Sequence, residues 1–334
     1  MQTVHVRGRV FNYSHTIGRN AVAGPGFRLP MDLARGEGNI IYVVNRGDEF
    51  QPCQHVSVVT TDEEFLKDFA SIGDADGQFV WPTAITLDSN GDVYVADEWL
   101  NRITVYDKDG NFLRKWGEPG SENGQLRSPA GMVFDTNDDL YVTEELNHRV
   151  SKFTKDGQFL FSWGQEGSKA GEFRRPWGIT LDHSGDIYVA DWHNARIQKF
   201  SSDGSFIREF GEDMGTEQGL GMPSDVAVDD EGDVYAVDWG NNRVQIYTPD
   251  GEYITTFIGD AERLSKWAQS AIDANPDYIK ARQRVRSLEE EWRFTRPTSI
   301  EIDNDGKIFI TDTQRGRIQV YQKEQSWVEP QFNL

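Results

Sequence analysis

The sequence predicts an all-β fold, a six-bladed β-propeller in which each blade has four antiparallel strands. Three observations support this prediction: a repeated unit, a nearly constant period, and polar turns between short apolar runs. The unit is clearest at 171–211, which predicts strands at 177–182, 186–190, 196–200 and 206–210. Two of its three connections are rich in Asp, Ser and Gly, residues that suit tight reversals of the chain.

The period is measured by the proline that opens each first strand. Four of these prolines are 47 residues apart, one lies 52 residues before them and one 74 residues after them: Pro30, Pro82, Pro129, Pro176, Pro223 and Pro297. A four-stranded unit repeated every ~40–50 residues is typical of a propeller blade. One blade cannot bury both faces of its sheet, whereas six blades packed radially can.

The first residues of the chain are expected to close the ring. The segment Val10–Gly18 matches the endings of the outermost strands in the other units, and the sixth unit has only three strands of its own. We therefore expect residues 1–19 to supply the fourth strand of the last blade. Such closure removes free sheet edges that could otherwise pair with other chains.

An insertion at 260–292 interrupts the single domain, 1–334, between blades five and six. Apolar residues recur at helical spacing in two runs, from Leu264 to Ile272 and from Tyr278 to Trp292, and Asn275 and Pro276 are typical of a helix start. The insertion is predicted to be a helical hairpin on the rim that carries the long loops. A lid over the central channel and a structural patch or oligomer contact are both open interpretations.

Composition limits the classes of partner. The 334 residues carry a formal charge of −21, which disfavours nucleic acid because phosphate binding depends on Lys and Arg. There is no run of 18 apolar residues, so no membrane span is expected. The N-terminal stretch lacks a signal-peptide pattern and Cys53 is the single cysteine. We expect a cytoplasmic protein, and secretion or a periplasmic location stays open.

The run from the second to the third strand identifies a family resemblance. Segments such as VYVADEWLNRITVY and IYVADWHNARIQKF resemble the NHL repeat, and the first unit is a degenerate copy with Asn45 and His55 at two key places. The resemblance covers nearly the whole chain and implies the propeller fold. It does not imply one function, since such propellers serve as lyases, RNA readers and protein-interaction platforms.

Two sets of charged residues recur in the repeat. The second strands end in Asn45, Asp97, Glu144, Asp191, Asp238 and Asp312, and the third strands begin with Arg102, Arg149, Arg196, Arg243 and Arg317. A ring of acids suggests calcium, but such acids also accept backbone N–H groups from the following loop. We interpret both sets as architecture.

Departures from the repeat indicate a site. Asp32 and Asp225 replace the small residue found second after the opening proline, near the channel mouth. Glu145 and His193 lie in long loops on the same rim. These four are the candidate catalytic residues, as general bases or carboxylate groups.

The remaining long-loop residues predict a funnel with aromatic and charged walls, which is typical of small-molecule sites. The candidate ligand-binding residues are Arg46, Trp81, Glu98, Trp99, Arg175, Trp177, Trp192, Trp239 and Arg296. The tryptophans have a second interpretation, as packing between sheets. We expect the funnel to bind a small molecule, a peptide or a protein partner; a lyase or hydrolase is the alternative.

The sequence is distantly similar to peptidyl-hydroxyglycine alpha-amidating lyases, and that resemblance implies a zinc ion held by histidines in the central channel. The residues beside the opening prolines here include no histidine, so a three-histidine zinc site is not expected. The cofactor stays unknown, with one divalent ion, calcium or zinc, as the candidate.

Overall fold

Six antiparallel sheets surround a central axis in the computed structural model, which describes residues 3–48, 50–211 and 218–325. Five sheets have four strands and the sixth has five, so the predicted six-bladed propeller is confirmed. Blades 1 to 5 each run outward from the axis in sequence order. Within the described ranges, no helix has the length and apolarity needed to cross a membrane.

The strands follow the predicted units closely. Blades 1 to 3 contain Pro30–Arg35, Ile40–Asn45, His55–Thr60 and Phe65–Phe69; Pro82–Leu87, Val93–Asp97, Arg102–Tyr106 and Phe112–Trp116; Pro129–Phe134, Asp139–Glu144, Arg149–Thr154 and Phe159–Trp163. Blades 4 and 5 contain Pro176–Leu181, Ile187–Asp191, Arg196–Phe200 and Phe206–Phe210; Pro223–Val228, Val234–Asp238, Arg243–Tyr247 and Tyr253–Phe257. A small parallel pair, Ser71–Ile72 and Gln78–Phe79, joins blades 1 and 2.

Blade 6 is built from both ends of the described chain. Pro297–Ile302, Lys307–Asp312 and Arg317–Lys323 form its inner three strands, and Arg9–Ile17 pairs with Arg317–Lys323, which confirms the predicted closure. Thr3–Val6 pairs with Arg9–Ile17 as an unpredicted fifth strand. Val4 and Val6 pack against the hydrophobic cluster that includes Ile254 of blade 5. Ile254 is therefore only 3% exposed, whereas the equivalent residues of blades 1 to 4 (Leu66, Leu113, Leu160 and Ile207) are 43–47% exposed.

The hydrophobic core lies between neighbouring blades. One cluster, for example, joins Ala84 and Tyr94 of blade 2 to Met132 and Phe153 of blade 3. Burial of such apolar surface is the main favourable contribution to folding. Each inner strand also has a register irregularity after its proline, as between Pro176 and Ile179. Because proline has no N–H for a sheet ladder, a strand start is a suitable place for it.

The insertion forms three short helices rather than two: α1 (Lys266–Asp273), α2 (Pro276–Arg284) and α3 (Glu289–Trp292). The predicted start of α2 is confirmed, because the Asn275 side chain accepts a hydrogen bond from the N–H of Asp277. The predicted second helix is wrong in length. The chain becomes extended at Val285, with φ −75° and ψ 133°.

The insertion packs on the perimeter where blades 6 and 1 meet. The N–H groups of Lys266 and Trp267 donate to Glu63, and the Trp267 ring lies 6.2 Å from that of Phe27. Arg317 of blade 6 donates to the Glu291 carbonyl at 2.6 Å. The axial cavity is lined by inner strands and by no residue of the insertion. These contacts favour a structural patch over a lid.

Candidate functional site

The inner strands enclose an axial cavity of about 240 Å³. Its wall includes, from each blade, the residue second after the opening proline. Going around the ring from blade 1 to blade 6, these residues are Asp32, Ala84, Gly131, Gly178, Asp225 and Ser299. Blades 5, 6 and 1 are consecutive, so the polar side chains form one continuous arc of the wall.

Each of the two aspartates bonds to the inner strand of the next blade. Asp32 accepts hydrogen bonds from the N–H groups of Leu33 and Ile85, both at 2.8 Å. Asp225 accepts one from the N–H of Ile300 at 2.9 Å. Burial raises the pKa of Asp32 to about 6. Burial and the nearby charge of Asp32 raise the pKa of Asp225 well above its usual range.

The close packing around Asp225 explains a glycine of the repeat. A Cβ atom on Gly178 would lie 2.1 Å from an Asp225 carboxylate oxygen. No side chain fits there unless Asp225 moves. The aspartate of blade 5 and the glycine of blade 4 therefore depend on each other.

A third acid lines the cavity and was missed in the sequence. Glu301 occupies a place that is uncharged in the other blades, where the residues are Ala34, Thr86, Val133, Thr180 and Ala227. Burial, followed by the charge of Asp32, raises the pKa of Glu301 to about 7, and Arg35 opposes this shift. The departure from the repeat was the signal that could have identified Glu301.

Around the cavity mouth, the long loops of blades 1 and 2 form one contact group. Arg46 makes an ion pair with Glu98 and lies over the Trp81 ring at 4.5 Å. Trp81 contacts Trp99 edge to face at 6.0 Å, and Trp99 is 64% exposed. Burial raises the pKa of Glu98, against the opposing charge of Arg46.

Blades 3 and 4 contribute a second, ionic group. Glu145 accepts a hydrogen bond from Arg175 at 2.9 Å and another from Ser128 at 3.1 Å. Partial desolvation, followed by the positive charge of Arg175, lowers the pKa of the His193 imidazole. Glu145 also lies close enough to His193 and Glu98 to affect their pKa values.

The third group is aromatic and reaches the cavity. Trp192 contacts Trp177 edge to face at 4.6 Å and Trp239 at 6.0 Å. Arg296 lies over the Trp239 ring at 5.0 Å, which is a cation–π contact. Trp177 also lines the axial cavity, so the aromatic surface is continuous with the cavity wall.

The structure thus places the nine candidate ligand-binding residues in these three rim groups. The four candidate catalytic residues divide into two pairs. Asp32 and Asp225 lie in the cavity wall, whereas Glu145 and His193 lie on the rim. The rim tryptophans form two contact groups, and Trp177 also packs against the hydrophobic cluster of blades 1 and 2.

The recurring acids have structural partners. Asp191 is fully buried and accepts hydrogen bonds from the N–H of Arg174 at 2.7 Å and from Arg196 at 3.0 Å. The backbone N–H comes from the blade-to-blade loop that precedes the blade. The prediction that the loop after the second strand would supply this N–H was therefore wrong for Asp191. Asp97 accepts from both loops, and Arg102 donates to backbone carbonyls.

The residues present do not fit a metal ion. Within residues 3–48, 50–211 and 218–325, no three His, Cys, Asp or Glu side chains are arranged to hold one. The buried acids of the ring are committed to backbone N–H groups and arginines. Hard cations such as Ca²⁺ need several free oxygen ligands around one point.

Comparison with known sequences identifies a repeat family. The NHL repeat matches residues 79–106, 126–153, 173–200 and 220–247, which lie in blades 2 to 5. No curated protein matches the chain.

Comparison with solved structures agrees on the fold. A streptogramin B lyase has a TM-score of 0.59 at 14% identity, covering 94% of this chain and 98% of its own. Virginiamycin B lyase from Staphylococcus aureus has a TM-score of 0.59 at 15% identity, with 93% and 99% covered. A Bacteroides thetaiotaomicron protein of unknown function has a TM-score of 0.63 at 17% identity, with 95% and 76% covered. At these identities the likeness concerns the fold alone. The chain is a six-bladed β-propeller in which blades 2 to 5 match the NHL repeat.

Proposed function

We propose that the chain binds a small or peptide-like ligand at the mouth of the axial cavity, on the surface formed by Trp177, Trp192 and Trp239. The observation that supports this most is the contact between three half-buried indoles at the cavity opening. Tryptophan offers a large apolar face, and ligand sites combine such faces with a few polar groups.

The charged groups beside the indoles define the polar part of this surface. Arg175 and Arg296 are half-exposed or exposed on either side of the indoles, and Glu145 holds Arg175 in place. Arginine can pair with a carboxylate through two parallel hydrogen bonds. A ligand with both an apolar group and a carboxylate would therefore match the surface, as would an exposed segment of a partner protein.

A binding experiment tests this proposal. A defined library of short peptides and small aromatic acids is screened by thermal shift, and the compounds that stabilise the protein are measured by calorimetry. We expect Trp192→Ala and Trp239→Ala each to weaken their binding at least tenfold. Phe206→Ala is the matched control, because Phe206 is an exposed aromatic residue on the outer strand of the same blade as Trp192.

Two results would contradict the proposal. One is a library in which no compound stabilises the protein. The other is an equal loss of binding in Phe206→Ala and in the two tryptophan variants, since that would place the ligand elsewhere.

A lyase or hydrolase is the second candidate function, and the environment of His193 is the observation that favours it. A lowered pKa keeps the imidazole neutral near pH 7, as a general base requires. Arg175 beside it could hold an anionic group. Among the proteins of similar fold, a histidine-to-alanine variant of virginiamycin B lyase is catalytically inactive and was solved with quinupristin.

The enzyme hypothesis predicts that this chain converts quinupristin, or another compound found in the screen, at a rate that His193→Ala reduces at least a hundredfold. Mass spectrometry of the reaction mixture measures the conversion. Equal conversion by the variant would remove His193 from the site. Binding without conversion would leave the binding function alone.

A further inference from the structure

We propose that the axial cavity binds the ammonium group of a linear amine, in the arc formed by Asp225, Ser299 and Asp32. This inference rests on the proposed function and specifies the chemical group of the ligand that enters the axial cavity. The three residues hold the same place in blades 5, 6 and 1. They therefore lie at one level of the cavity, side by side around the axis.

The opposite arc has no polar side chain at this level. Blades 2, 3 and 4 have Ala84, Gly131 and Gly178 at the equivalent place. The negative charge of the wall at this level is thus confined to one side. A cation in the cavity would be drawn to the Asp225–Ser299–Asp32 side.

The hydroxyl of Ser299 is the observation that points to a ligand. Ser299 is 3% exposed, lines the cavity, and its Oγ has no hydrogen-bond partner. It lies near enough to Asp32 to lower the pKa of that carboxyl, yet without the geometry of a hydrogen bond. Buried polar groups in folded proteins are normally satisfied, so an unpaired hydroxyl facing a cavity suggests a missing partner.

An ammonium group supplies what this arc lacks. It has three N–H donors and no acceptor, and a carboxylate oxygen can accept more than one hydrogen bond. Asp32, Asp225 and Ser299 together offer acceptors from three adjacent strands. The bonds that the aspartates already make to backbone N–H groups leave further lone pairs free.

The arc also lacks a positive charge. Among the described residues, no ion pair reaches Asp32 or Asp225, and the one basic residue of the cavity wall, Arg35, is 3.9 Å from Asp303. The raised pKa values of Asp32 and Asp225 reflect this shortage of cations. A metal ion fits less well, since no three metal-binding side chains of the described ranges are suitably arranged.

The cavity has the size for a slender chain. Its 240 Å³ compares with about 30 Å³ for one water molecule in the liquid. Trp177 belongs both to the cavity wall and to the aromatic group of the rim, and it also packs against the cluster that includes Met31 of blade 1. An alkyl chain that joined the rim to the carboxylates would therefore run beside this indole. A free diamine and a lysine side chain of a peptide share this chemistry.

The test measures binding of two amines to the full chain by calorimetry at pH 8. The probes are 1,4-diaminobutane and the peptide Ala-Ala-Lys-Ala-Ala with blocked ends, and 1-butanol is the neutral control. We expect at least one amine to bind and the alcohol not to bind. Asp225→Asn and Asp32→Asn should each weaken amine binding at least tenfold, and Ser299→Ala about threefold to tenfold. Tighter binding of the diamine or of the peptide identifies the source of the ammonium group.

Asp250→Asn is the charge-matched control, because it also removes one negative charge but lies exposed on the outer face. Ser299→Ala, a minimal change, keeps the test valid if an aspartate variant fails to fold. The proposal is overturned if neither amine binds, or if calcium binds the same arc and the amines do not. It is also overturned if Asp250→Asn lowers the affinity for the amines as much as the variants of the cavity wall do.

The two proposals fail in different ways. If a library ligand is lost in Trp192→Ala but kept in both aspartate variants, the rim site stands and the ammonium site is wrong. If the diamine binds through the aspartates while no library compound depends on the tryptophans, the rim proposal is wrong and the ammonium site stands alone.

Discussion

Two kinds of acidic residue lie close to the centre of this propeller, and they differ in what compensates their charge. Asp312, an acid of the repeat, is buried between the guanidinium of Arg317 at 2.7 Å and the N–H of Thr295 at 2.8 Å. Asp225, which departs from the repeat, has the N–H of Ile300 and, within the described ranges, no ion pair. Four repeated acids pair with an arginine of their own blade: Glu144, Asp191, Asp238 and Asp312. Asp32 and Asp225 have no such partner within the described ranges.

The largest expected effect comes from breaking a repeated acid. Asp191→Ala should lower the free energy of unfolding by about 3–5 kcal/mol, because the N–H of Arg174 and the side chains of Asn194 and Arg196 lose a buried acceptor. Arg196 keeps its second ion pair, with Glu209. Urea unfolding at pH 7 measures the change. A loss under about 1 kcal/mol would show that these acids are not architectural.

Asp191→Asn is the natural control for that variant. Blade 1 already has Asn45 at the equivalent place, and its amide oxygen accepts the N–H of Arg28 at 2.9 Å. We therefore expect Asp191→Asn to keep the loop bond, lose the charge pair and be less destabilised than Asp191→Ala. Equal losses in the two variants would mean that the charge, and not the loop bond, is what matters.

Asp225→Asn should have the opposite sign. The folded-state pKa of Asp225 is raised, so folding disfavours the ionised carboxylate. This cost is absent below the unfolded-state pKa near 3.8 and grows as the pH rises toward the folded-state value. An asparagine oxygen can still accept the N–H of Ile300. We expect the variant to melt a few degrees higher at pH 8 and no higher at pH 3.5.

Asp32→Asn sharpens this prediction. Both oxygens of Asp32 accept a backbone N–H at 2.8 Å, whereas the second backbone contact of Asp225, from the N–H of Val226, is weaker than its bond from Ile300. An amide in place of Asp32 must therefore direct its own NH₂ group at one of two well-bonded donors. The gain from removing the charge is then offset by a lost hydrogen bond. A larger stabilisation by Asp32→Asn than by Asp225→Asn would contradict this account of the two carboxylates.

The fold could be predicted because each repeat can be aligned with the others in the same chain. The proline spacing located the blades, and the strand bounds of blade 4 differ from the predicted ones by one residue or none. The fifth strand of blade 6 was missed because it has no equivalent in the other units. It packs against the hydrophobic cluster that includes Ile254 of blade 5, which is distant in the sequence.

The site was predictable in position but not in pairing. Propeller periodicity brings the long loops to one rim, so the residues that depart from the repeat could be located on it. The ion pairs between Arg46 and Glu98 and between Arg175 and Glu145 join different blades. Such pairs depend on side-chain reach across a blade junction, which the spacing of the repeat does not contain. Glu301 was missed because its place in the inner strand varies among Ala, Thr and Val in the other blades, so the repeat sets no fixed residue type there.

The smallest expected effect comes from the opposite rim. His183 makes an ion pair with Asp230 at 2.5 Å, and both side chains are more than half exposed. The bond to Asp230 raises the pKa of His183. The pair therefore stabilises the fold below the unfolded-state pKa of 6.5, and this contribution is lost as the pH rises through the folded-state pKa.

Because exposed pairs are screened by water and salt, we expect His183→Ala to lower the melting temperature only slightly at pH 5 and not at all at pH 9. Thermal unfolding at both pH values measures this. A loss at pH 5 that approached the one from Asp191→Ala would show that compensation by a partner, rather than burial, sets the importance of an acid in this propeller.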